Sequence, residues 1–117
     1  MSYIDGFVLA VPTEKKEEYR AFAESWAPKF KALGALKIVE CWGDDIPDGE
    51  TTSFPLAVKC EENETVVFSW SIWPSKDVRD KAWAALEADE SMSEEMTSMP
   101  FDGKRMIYGG FNPLIEV

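Results

Sequence analysis

Residues Tyr3 to Val11, YIDGFVLAV, restrict the fold more than any other stretch of the chain. β-Branched and aromatic residues dominate it and Pro12 closes it, so it reads as a strand. Its alternate faces are Tyr3, Asp5, Phe7, Leu9, Val11 and Ile4, Gly6, Val8, Ala10. Beyond Asp5 both faces are largely apolar, the pattern of a central strand covered on both sides. A fold for this chain must therefore supply two covers.

The first cover follows at once. Tyr19, Phe22, Trp26, Phe30 and Leu33 recur every three or four residues and mark one buried helical stripe. Thr13 is the expected N-cap, Pro28 predicts a kink or break near Ala27, and Gly34 ends the helix. Ala35 to Trp42 reads as a strand, followed by a polar loop around Pro47-Asp48-Gly49. Phe54 to Cys60 suggests a short extra strand. From Thr65 to Trp73 the residues Val66, Phe68, Trp70 and Ile72 alternate with Thr65, Val67, Ser69 and Ser71, a clear strand period. Ser75 then caps a second helix with Val78, Ala82, Ala85 and Leu86 inward and Trp83 at its edge. Ser91 to Met96 fits a short helix, and Asp102-Gly103 turns the chain into a last strand, Lys104 to Phe111. Gly109-Gly110 inside it marks a bulge or a close backbone approach.

The order β-α-β-(β)-β-α-β predicts an α+β fold, the ferredoxin-like split βαβ sandwich with an antiparallel sheet. With 117 residues, no repeat and no linker, the chain reads as one domain spanning 1–117. Both helices then lie on one sheet face. The second apolar face of the first strand needs a second layer, which a partner copy supplies. The expectation is a homodimer through the sheet faces, burying more than about 1,200 Å².

Composition excludes several chemistries. Twelve basic residues against 22 acidic ones leave a net charge of −10, which argues against nucleic acid and anionic membrane as partners. The absence of His removes Ser-His-Asp and Cys-His nucleophile activation, His-ligated haem and ordinary zinc centres. No cofactor motif is present. Asp44, Asp45, Asp48 and Glu50 form an acidic loop without EF-hand spacing, read as solvated. No signal-peptide pattern and no spanning apolar run occur, so the expected location is the cytoplasm, with Cys41 and Cys60 reduced and Cys41 in the core.

The stretches YIDGFVLAVP, GALKIVECWGDD, ENETVVFSWSIWPSKDVRD and MPFDGKRMIYGGF together resemble the YbaA-like bacterial family, domain of unknown function 1428. The resemblance runs nearly end to end. It implies a ferredoxin-like domain of the dimeric α/β-barrel superfamily, in which two sheets pack face to face. It supplies no activity and no catalytic residues. Distant members of that superfamily include haem-degrading and cofactor-independent monooxygenases, chlorite dismutase-like proteins and small stress-response barrels. The His of the haem-binding relatives has no counterpart here.

Candidate site residues follow from residue type. Five Trp is a high load, and Trp26, Trp42, Trp70 and Trp83 read either as plain core or as walls of a ligand pocket. Glu40, mid-strand among apolar residues, is a candidate general base; it equally fits an edge strand facing solvent or a cross-strand pair with Lys104 or Arg105. Arg105 and Tyr108 are the other candidates, with Trp42, Trp70, Tyr108 and Glu40 or Arg105 sharing one cavity between sheet and helices. Met92, Met96 and Met99 form an apolar edge suited to a lid or a dimer contact. Two functions stay open: a non-catalytic barrel that binds a small molecule, and a cofactor-independent monooxygenase or isomerase acting on a small hydrophobic or aromatic substrate.

Overall fold

The computed structural model describes residues 2–117, and their side chains except at positions 93 and 95–97. Strand β1 is Tyr3–Pro12, helix α1 Lys16–Ala32, β2 Lys37–Trp42, a short helix α2 Phe54–Ala57, β3 Glu64–Trp73, α3 Lys76–Glu87, α4 Glu90–Thr97 and β4 Ile107–Phe111. The strands form one antiparallel sheet in the order β2-β3-β1-β4, with β1 and β3 at the centre. Strand β3 lies between β1 and β2, the split βαβ arrangement of a ferredoxin-like fold.

Each element has a local cause. Ser75 and Ser53 accept hydrogen bonds from the backbone N–H groups of Val78 and Leu56 and so start α3 and α2. The Phe54 to Cys60 stretch is therefore not a strand: a capping serine and Pro55 in the first turn favour a helical turn. Thr13 does not cap α1; it lies in a 3-10 turn, and its hydroxyl bonds that of Thr65 at 2.7 Å. Pro28 does not break α1, which continues to Ala32 with Pro28 on the exposed side. Leu33 closes the helix, and Gly34 takes φ +119°, where a Cβ would come within 2.6 Å of Val78. The last strand starts at Ile107 rather than Lys104, because Asp102 caps a 3-10 turn over Gly103–Arg105. Gly109 and Gly110 make no bulge; Tyr3 lies so close over Gly110 that any Cβ would collide with its ring.

Helices α1 and α3 cover the sheet face made by the odd residues of β1. Trp26, Phe30, Leu86 and Ala82 pack there with Tyr3 and Trp73, and Phe22 joins them half-buried. Ala85 is exposed and does not belong to the inner stripe. Met92 is buried in the same cluster, Met99 is half-buried, and Met96 lies outside the described side chains. Within this core Asp5, 2% exposed, accepts hydrogen bonds from the indole N–H groups of Trp73 and Trp83 at 3.0 and 2.9 Å. The Arg79 guanidinium closes on the same carboxylate at 2.7 Å and lies 5.3 Å from the centre of the Tyr3 ring.

The other sheet face has only a partial cover. Val58, Ile46 and Cys60, from the connection between β2 and β3, pack on Ala10 and Val66. Over the rest, Ile4, Val8, Val39, Phe68, Trp70, Ile72 and Phe111 stand open, from half-buried to 60% exposed at Phe111. The molecule is a slab of 38 × 36 × 20 Å with a radius of gyration of 14.8 Å, against about 13 Å for a compact chain of this length.

Candidate functional site

Strand parity sorts the sequence candidates. Glu40 lies between Ile38 and Trp42 on the helix-facing side of β2, and its backbone partner on β3 is Ser69. The Tyr19 hydroxyl, reaching down from α1, donates to Glu40 Oε1 at 2.5 Å. The Ser69 hydroxyl donates to Oε2. Above this carboxyl opens a cavity of about 330 Å³ between α1 and the β2 edge. Ala23, Ala27 and Ile38 give it apolar walls, while Lys16 and Trp42 also line it. The Lys16 Nζ sits 5.5 Å from the centre of the Trp42 ring.

Burial pushes the Glu40 carboxyl above the ordinary carboxylate range, and the Ser69 and Tyr19 hydrogen bonds only partly offset this. Burial first, and the Glu40 charge second, raise Tyr19, so the phenol stays a neutral donor. A carboxyl whose folded pKa is raised costs stability once it ionises. That stability is fully present below the unfolded value near pH 4.3 and is lost as pH rises through the folded value. Glu40→Gln should therefore stabilise the protein at pH 7 and change little at pH 4. Urea melts at both pH values test this; an equal effect at the two would refute it.

The other candidates lie elsewhere. Arg105 grips Glu64 with two bonds of 2.7 Å and also binds Asp102 and the Lys59 carbonyl, so its guanidinium is committed to holding the loop before β3. Those bonds hold the Glu64 carboxyl below its usual range. Tyr108 is 73% exposed, stacked on Phe7 at 6.4 Å on the far edge strand. Trp70 points to the open face, with the Lys37 Nζ 6.0 Å from its ring. Trp26 packs on Phe30 at 4.6 Å and Trp83 belongs to the Asp5 cluster. Of the candidate catalytic and pocket residues, Glu40 and Trp42 alone line the cavity. Cys41 is exposed, not in the core, because its parity places it on the open face.

Tyr19, Ser69 and Lys16 are the site residues that sequence reading missed. The one available signal was Ser69 with Ser71, two hydroxyls among the apolar residues from Val66 to Trp73. Among the described residues, no group of three or more Cys, Asp or Glu is arranged to hold a metal ion. No helix among them is long and apolar enough to cross a membrane.

Known proteins resemble this chain at two levels, fold and sequence. The fold is similar to SnoaB, a cofactor-independent oxygenase from Streptomyces nogalater, at a TM-score of 0.65 and 12% identity over 99% of this chain and 96% of that one. It is similar also to a dimeric ferredoxin-like protein from an uncultured marine organism, at a TM-score of 0.64 and 13% identity over 99% and 98% of the two chains. These likenesses establish the ferredoxin-like fold and nothing of the chemistry. In sequence the chain is 60% identical over 116 residues to the uncharacterized protein YbaA of Escherichia coli K12, covering 99% of each. The model of the protein of unknown function family DUF1428 matches residues 2–103, and the chain belongs to that family.

Proposed function

We propose that the chain, as one domain, works as a homodimer that binds a small hydrophobic or aromatic molecule in the cavity under α1. The observation that carries this reading is Glu40, a carboxyl held by Tyr19 and Ser69 at the floor of a mostly apolar cavity. Few convergent polar groups inside apolar walls are the usual makeup of a small-molecule site. Self-association is supported by the open apolar sheet face and by the likeness to a marine ferredoxin-like protein that is itself dimeric. The slab's 38 × 36 Å face can supply the ~800 Å² per partner of a standard interface. The free thiols of Cys41 and Cys60 suit the cytoplasm. A charge of −10 leaves nucleic acid and anionic membrane as poor partners.

Thermal melts against a panel of one- and two-ring aromatic compounds test the site. A ligand at 100 times its Kd should add about 2.7 kcal/mol, and Ala27→Trp, which fills the cavity, should abolish the gain. A panel without any shift, or a shift that survives Ala27→Trp, would place the site elsewhere.

A catalytic cavity is the second reading: an isomerase or cofactor-independent monooxygenase in which Glu40 accepts the proton. Its raised carboxyl is the observation that favours it. Uptake of deuterium from heavy water into a bound enolisable ligand, lost in Glu40→Gln, would support the isomerase; no exchange and no oxygen consumption would leave a binding protein.

A further inference from the structure

Resting on the cavity reading above, we infer that this site is built for a single-ring aromatic carboxylate carrying a hydrogen-bond donor away from its carboxylate. Size sets the first limit. The cavity of about 330 Å³ is about twice the ~150 Å³ that admits benzene, so it takes one ring with substituents.

Polarity sets the orientation. An ionised carboxylate has about four acceptor positions, and the Tyr19 and Ser69 hydroxyls use two at Glu40, leaving capacity for a ligand O–H or N–H. At the rim, Lys16 makes no ion pair among the described residues and rests beside the Trp42 ring. In a chain of net charge −10 an uncommitted cation at a cavity mouth is a specific place for an anion. Arg20, one turn on, adds positive charge there although it pairs with Glu17 at 2.8 Å. Glu24 lies one turn further along the same wall, which directs the anion to the Lys16 end. A cationic amine would meet Lys16 and Arg20 on its way in.

Spacing separates the two polar ends. Glu40 and Trp42 are two residues apart on one strand face, about 6.6 Å between Cα atoms, and Lys16 rests over the Trp42 ring in the same cavity. A donor for Glu40 and an anion for Lys16 therefore belong at separate positions of the ring.

Calorimetric titration with 4-hydroxybenzoate, benzoate and phenol tests the inference. The wild type should bind 4-hydroxybenzoate at least tenfold more tightly than either of the others. Lys16→Met, an exposed change that leaves the fold intact, should weaken 4-hydroxybenzoate to the level of phenol and leave phenol itself unchanged. Glu40→Gln should weaken 4-hydroxybenzoate and phenol but not benzoate. Equal affinity for the three probes, or a Lys16→Met variant that binds as the wild type does, overturns this inference while the cavity reading stands. If none of the three binds but aromatic panel members do, the same holds. If nothing binds at all, both fall.

Discussion

Replacing Asp5 by alanine removes about 3 to 5 kcal/mol of folding stability, since each buried donor left without an acceptor costs about 1 to 3 kcal/mol. This carboxylate is the shared acceptor of Trp73, Trp83 and Arg79, and Trp73 is fully buried. Its loss strands two indole N–H groups and leaves the Arg79 guanidinium only the more exposed Asp80, at 2.9 Å. Against a total stability of about 5 to 15 kcal/mol, such a loss is a large fraction. Asp5→Asn recovers only part of it, since one amide oxygen remains but the NH₂ group faces the Arg79 fork. Urea unfolding measures both. A melt of Asp5→Ala within about 1 kcal/mol of the wild type, on the scale of a surface change, would show that Arg79 and the indoles find other acceptors.

Phe68→Glu should split the proposed dimer. Phe68 stands on the open sheet face, 43% exposed, opposite Val8 and Cys41. In a two-fold interface one substitution appears twice, so the change buries two carboxylates where two rings packed. Weakening by a factor of about 100 or more follows from about 3 kcal/mol of lost burial and added desolvation. Light scattering at micromolar concentration should give twice 13.2 kDa for the wild type and 13.2 kDa for the variant. The folded monomer should survive, because Phe68 lies outside the helix-facing core. A variant that keeps the wild-type dimer mass would remove the sheet face as the interface.

Much of this architecture is legible in the sequence, because helical stripes and strand alternation are local. Trp26, Phe30 and Leu86 are inside as their spacing requires. The two-sided character of β1 correctly asks for more cover than two helices give. What local pattern does not fix is which way a strand faces. Alternation alone would send Phe68, Trp70 and Ile72 toward the helices and Ser69 and Ser71 toward water. The structure does the reverse, with both serines 4% exposed beneath the helices. The small hydroxyl side makes room for α1 and supplies the Glu40 partner, while the bulky side is kept for the open face. That inversion depends on tertiary packing, so Tyr19 and Ser69 could not be paired with Glu40 from spacing. Turn chemistry explains the remaining differences. Ser53 with Pro55 turns an apparent strand into a helix, and Asp102 draws Lys104 and Arg105 out of β4.

The placement of β1 at the centre of the sheet has a cost in time. Pro12 pairs with Glu64 and Tyr3 with Trp73, so its main partner strand follows roughly 50 to 70 residues later. At ~5–20 residues per second of synthesis, the most apolar strand waits about 3 to 14 s for that partner. Helix α1 emerges sooner and can cover one face in the interval. The other face has no early cover, so in a nascent chain it stands open to non-specific apolar contact.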